Sequence, residues 1–96
     1  MSSIVVKTTV KVSRLAEKQL RKILKHIQES LRNWTATVER IGIRDARKLS
    51  GFQDEPLQGD RKGQRSVRLN KAYRAIYIET IQVLELLVTE VNKHEY

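Results

Sequence analysis

Ninety-six residues are enough for one domain with one modest core, which argues against an enclosed substrate cavity and for a site in an open groove. Lys and Arg number 19 against 11 Asp and Glu, a formal net charge of +8, which fits either a generic basic surface or a polyanionic partner. The absence of Cys excludes disulfides, and two His far apart in sequence give no basis for a structural zinc site, so no metal or other cofactor is expected.

The opening MSSIVVKTTVKVS lacks the charged leader and long apolar core of a secretion signal, and a cytoplasmic location is expected. The longest apolar run, Ala75-Ile76-Tyr77-Ile78, is too short to cross a bilayer. Ile4 to Val12 is rich in Val, Ile and Thr and reads as a first strand. Ser13 is placed to cap a helix opening at Arg14, with Glu17 one position beyond the capping-box spacing. From Leu20 onwards Ile23, Leu24, Ile27, Leu31, Trp34, Val38 and Ile41 form one apolar stripe on a 3.6-residue period. A single helix from 14 to 41 would be unusually long. The alternative is a sharp turn near Leu24 to His26 that makes a hairpin of two helices, although no Gly or Pro marks it. Trp34 is expected in the core and His26 on the surface, and Gly42 ends the helical run.

Ile43 to Leu49 has room for one helical turn. Phe52 to Gly63 reads as an ordered loop, with Asp54, Glu55 and Asp60 as turn and cap residues. Gln64 to Leu69 alternates, placing Val67 and Leu69 on one face and Ser66 and Arg68 on the other, which predicts a strand. Asn70-Lys71 makes a turn. Tyr73 to Glu79 and Gln82 to Val91 give two further strands joined at Thr80-Ile81, and Tyr73 and Tyr77 share a face suited to the core. Leu84, Leu86, Leu87 and Val88 make the last strand apolar on both sides, which predicts an interior position with helices against one face. The expectation is a single α+β domain over 1–96: an N-terminal strand, a hairpin of two helices, then an antiparallel three-stranded meander.

The segment from Arg61 to Arg74 holds six basic residues and no acid, a local field suited to phosphates or to an acidic protein. Cutting RNA without a metal needs a base for the 2′-hydroxyl, an acid for the leaving 5′-oxygen and fixed cations on the phosphoryl oxygens. Arg68, inside a strand, is the best candidate clamp; its other reading is an exposed Arg paired with Glu85 or Glu90. Lys62 and Arg65, at the loop-to-strand junction, suit flanking phosphates or the biasing of proton transfers. Arg61, Lys71, Arg74 and Lys93 are further candidate RNA contacts, and Arg74 is placed to approach Arg68 across the turn. His94 is the candidate proton shuttle, and Tyr96 a candidate for stacking a base or bonding a phosphate, unless both belong to a frayed end. From the residues alone the chain is a basic α+β domain suited to nucleic acid, and the reaction is under-determined.

Pro56-Leu57-Gln58-Gly59-Asp60-Arg61-Lys62-Gly63-Gln64-Arg65-Ser66-Val67-Arg68-Leu69 resembles the central signature of the RelE/HigB toxins, a Leu-x-Gly-x-x-x-Gly loop followed by a strand with an Arg. Ala72-Tyr73-Arg74-Ala75-Ile76-Tyr77 is similar to the family's Tyr-Arg-x-x-Tyr strand, and Glu90 to Tyr96 resembles its closing strand. The resemblance implies a RelE-like microbial RNase fold and a toxin of a type II toxin–antitoxin pair. Such toxins dock in the ribosomal A site and cut the exposed codon by 2′-hydroxyl attack, leaving a 2′,3′-cyclic phosphate, and a cognate antitoxin neutralises them. By position, Arg68 matches the phosphate-binding Arg, Lys62 the basic residue of the preceding loop, and His94 the terminal His of the HigB and YoeB branches, the general base. Tyr96 takes the neighbouring aromatic role, with Glu95 intervening. RelE itself relies on Lys and Arg, so the resemblance does not divide base from acid here. Two rivals carry different expectations: a ParE-like inhibitor of DNA gyrase on the same fold, and a non-catalytic nucleic-acid-binding module.

Overall fold

A computed structural model describes residues 8–80 and 85–93. Strand β1 (Thr9–Val12) passes through Ser13 into helix α1 (Arg14–Arg21). Ser13 does three things at this corner. Its Oγ accepts from the Ala16 N–H at 3.1 Å, the N-cap bond, and donates to the Thr89 carbonyl at 3.0 Å; its N–H donates to the Val88 carbonyl at 2.9 Å. A cap of this kind contributes about 1 kcal/mol.

The apolar stripe divides into two helices, α1 and α2 (Lys25–Ile41), with the break at 22–24, slightly ahead of the expected turn. A side chain does the work that Gly or Pro would otherwise do. Gln28 Nε2 donates to the carbonyls of Leu20 (2.8 Å) and Ile23 (3.1 Å), adding to the backbone bond that Leu20 already accepts from the Ile23 N–H at 3.1 Å. Leu24, counted in the stripe, is 67% exposed because it occupies the N-cap position of α2 in extended backbone. Ile27, Leu31, Trp34 and Val38 are buried as their spacing predicts, and His26 is exposed. Gly42 then takes φ +87°, a conformation that favours glycine, and α3 (Ile43–Ala46) follows as a single turn.

The sheet has five strands in the order β1-β5-β4-β3-β2, where β2 is Glu55–Pro56, β3 Arg65–Arg68, β4 Tyr73–Glu79 and β5 Glu85–Lys93. The meander β3-β4-β5 is antiparallel as expected, β1 pairs parallel to β5, and β5 is an interior strand. Strand β2 lies in the segment read as loop. Its two residues pair with Ser66 and Arg65, and the lack of a Pro N–H is tolerated because it is an edge strand. The turn into β4 is fixed by Asn70 Oδ1, which accepts from the N–H groups of Ala72 and Tyr73, both at 2.8 Å. Among the described residues no helix is long and apolar enough to cross a membrane.

Register divides the sheet into two faces. Val67, Ala75, Tyr77, Leu86, Val88 and Val91 pack with Ile27, Leu31, Trp34 and Val38 in one core. A bulge lets Val88 and Val91 share that face: Ile76 faces Glu90 and Tyr77 faces Val88, leaving Thr89 unpaired. The opposite face presents Ser66, Arg68, Arg74, Ile76, Glu90 and Asn92, and this is where the chemistry-bearing side chains collect.

Candidate RNA-binding groove

Cross-strand partners in an antiparallel pair point to the same side, so the register writes out the floor of the site. Arg68 of β3 faces Arg74 of β4, which faces Asn92 of β5. One step along, Glu55, Ser66, Ile76 and Glu90 form a parallel row. Between the sheet and the Gly59–Arg61 turn lies a concavity of about 250 Å³, bordered by Glu55, Leu57, Arg61, Arg74, Asn92 and Lys93.

Arg74 is the most firmly held cation in this groove. Its Nε donates to Ser66 Oγ at 2.9 Å, its Nη2 donates to the Gln53 carbonyl at 3.0 Å, and Nη2 lies 3.3 Å from Glu55 Oε1. The side chain is 13% exposed, so its planar fork is fixed rather than waving in solvent. Arg61 leans over the groove from the other side, with Nη1 2.9 Å from Glu90 Oε2 and 3.0 Å from Gln64 Oε1. That hydrogen bond from Arg61 holds the Glu90 carboxyl below the usual carboxylate range against a smaller opposing effect of burial, and Asn92 Nδ2 adds a bond at 2.9 Å. Arg68 is half-buried and, among the described residues, has neither an ion pair nor a side-chain hydrogen bond; Glu85 is bound to Lys11 and Glu90 to Arg61.

The remaining sequence candidates separate. Lys62 and Lys71 are exposed on the turns flanking β3, and Lys93 is exposed at the end of β5 beside the groove. Arg65 does not reach this face. It stands opposite Tyr77 on the helix side and donates Nε to Asp54 Oδ1 at 2.7 Å. His94 and Tyr96 lie outside the described residues. Sequence reasoning missed the carboxylates that shape the site. Asp54 is a buried anchor rather than a turn residue, its side chain 1% exposed, and Glu55 is a groove residue in contact with Arg74. The pairing of β2 with Ser66 is the feature that brings Glu55 here, and a two-residue strand leaves no periodic signal to read.

No model of a protein family matches the sequence, and no curated protein matches it either. Solved structures do. A chain of the archaeal RelE–RelB complex from Pyrococcus horikoshii superposes with a TM-score of 0.70 at 18% identity, over 92% of this chain and 96% of that one. The YoeB/ParE toxin from Agrobacterium tumefaciens gives 0.65 at 18% identity over 92% and 100%, and YafQ from E. coli gives 0.60 at 19% over 92% and 94%. The chain has the fold of the RelE-type toxins. The RelE-type architecture agrees with the expectation drawn from the three sequence motifs, and it extends the three-stranded meander with a parallel strand at one edge and β2 at the other. In this RelE-type sheet the helices cover one face, and the basic groove occupies the other.

Proposed function

We propose that this chain is a toxin of a type II toxin–antitoxin pair that cuts messenger RNA in the ribosomal A site without a metal. The observation that carries the reading is the row Arg68–Arg74–Asn92 on a rigid, helix-free sheet face, with Arg61 and Lys93 at its rim. An RNA backbone laid along this row meets one guanidinium fixed by three contacts and a second with no competing acid among the described residues. In the reaction the 2′-oxygen attacks the adjacent phosphorus, the bond to the 5′-oxygen breaks, and a 2′,3′-cyclic phosphate remains. Arg68 and Arg74 balance the charge that builds on the non-bridging oxygens.

Two groups suit the proton transfers. His94, the general base that the resemblance implies, follows Asn92 by two residues in the sequence. Glu55 stands at the border of the groove, with its carboxylate on Arg74 and 61% exposed to an incoming hydroxyl. Lys62, on the turn leading to β3, and Tyr96 complete the catalytic set, and Arg61, Lys71 and Lys93 bind flanking phosphates. The cationic groove also supplies the attraction for an acidic segment of a cognate antitoxin.

The test is incubation with programmed ribosomes. A discrete cut in the A-site codon is expected, lost in Arg68→Ala and in His94→Ala with the protein still folded. Inhibition of gyrase supercoiling with intact mRNA would select the ParE-like activity instead. Binding of RNA with no product at any protein concentration would reduce the chain to a binding module.

A further inference from the structure

Two of the three groups that fix Arg74, the Gln53 carbonyl and the Glu55 carboxylate, belong to one three-residue segment at the edge of the sheet. Little within that segment holds it in place. Strand β2 has two residues with two partners in β3, it lies at the edge, and Gln53 adopts φ +43°, a left-handed conformation that a side chain disfavours.

The middle residue of the segment is turned to the opposite face of the sheet. Asp54 Oδ1 accepts from Arg65 Nε at 2.7 Å, and Oδ2 accepts from the Tyr77 hydroxyl at 2.6 Å. Tyr77 is itself immobile: it is fully buried, its ring centroid lies 5.0 Å from that of Trp34, and its oxygen accepts from Arg47 Nε at 3.2 Å. Burial and then the Asp54 bond push the Tyr77 phenol well above its ordinary range, so it remains a donor at any working pH. Both oxygens of a carboxylate with a 1% exposed side chain are thus committed to partners fixed in β3 and β4.

We propose that Asp54 is a positioning residue: by anchoring Gln53–Glu55 to Tyr77 and Arg65 on the helix side, it sets the Arg74 guanidinium on the groove side. The anchoring stands on geometry alone, and its consequence for catalysis rests on the RNA-cutting reading. Gln53, Asp54 and Glu55 act as a lever through the edge of the sheet, with the buried carboxylate as its fixed point and Arg74 as the load.

The experiment uses the full chain with Asp54→Asn, which keeps the shape and removes the charge, and Tyr77→Phe, which keeps the ring on Trp34 and removes the hydroxyl. The first readout is hydrogen exchange at the Arg74 Nε–H, followed by NMR, because the bond to Ser66 slows it in a fixed guanidinium. Exchange is expected to speed up at least fivefold in Asp54→Asn and at least twofold in Tyr77→Phe, with the Trp34 indole and core amide signals unmoved. The second readout is cleavage on programmed ribosomes, where kcat should fall at least tenfold in Asp54→Asn while KM stays within twofold. Arg74 exchange changed less than twofold in both variants overturns the positioning. Faster exchange with unchanged kcat overturns its catalytic consequence. If the unsubstituted chain cuts no RNA, the functional reading fails, and the exchange measurement still decides the role of Asp54. If Asp54→Asn does not fold, Tyr77→Phe decides both.

Discussion

Arg68 and Arg74 are direct cross-strand partners, so both side chains leave the sheet from adjacent positions on its helix-free face. Like charges at directly opposite positions oppose folding, by up to about 1 kcal/mol. Glu55 compensates Arg74, whereas Arg68 has no acid among the described residues.

From this follows a trade between stability and activity. Arg68→Gln should leave the urea midpoint unchanged or raise it by the equivalent of up to about 1 kcal/mol. The same substitution should lower the rate of ribosomal mRNA cleavage at least tenfold. A clear loss of stability would show that Arg68 is structural.

Arg74 should not tolerate Lys. One ammonium cannot reproduce an Nε bond to Ser66 together with an Nη2 bond to Gln53, and the nearly inaccessible Ser66 hydroxyl would lose its donor. Arg74→Lys should cost about 1 kcal/mol in denaturant unfolding and at least tenfold in kcat, although the charge is kept. Activity close to that of the unsubstituted chain would mean that charge alone suffices.

The Arg61–Glu90 pair predicts a pH dependence of the loop above the groove. The folded-state pKa of Glu90 lies below its ordinary value, chiefly through the Arg61 hydrogen bond, so the contact is fully present above that ordinary value and is lost as pH falls through the depressed one. With Arg61 44% exposed, the effect is local and screened by salt. A carboxyl-carbon NMR titration should show the Glu90 midpoint rising towards its ordinary value in Arg61→Ala. It should also rise when RNA is added, because phosphates compete for Arg61.

Gln28 is predicted to matter for stability and not for chemistry. Its amide caps the Leu20 and Ile23 carbonyls at the break between α1 and α2, on the side of the sheet away from the groove. Gln28→Ala should lower stability by about 1–2 kcal/mol in urea unfolding, with kcat unchanged. A variant of undiminished stability would mean that water serves those carbonyls equally well.

Periodicity carried most of the architecture into the sequence. The 3.6-residue stripe from Leu20 to Ile41, the alternation from Ser66 to Leu69 and the doubly apolar Leu86-Leu87-Val88 each report a local burial pattern, and each corresponds to the helices, to β3 and to the interior strand β5. The Ser13 cap and the Asn70 turn were legible for the same reason: their partners lie within three residues. The basic run from Arg61 to Arg74 was visible as charge, but not which of its members share a face.

That partition was made only in three dimensions. Register set Arg68 beside Arg74 and turned Arg65 to the other side to meet Asp54. An edge strand of two residues carried Glu55 into the groove, a bulge at Thr89 let Val88 and Val91 face one core, and Gln28 bridged the break between α1 and α2. Each of these depends on a partner outside the local window, which a period of 2 or 3.6 cannot encode. The amino-acid sequence by itself determined the elements and the sign of the charge; the pairing of strands decided which cations meet on the helix-free face, because hydrogen-bond register alone assigns each side chain to a face.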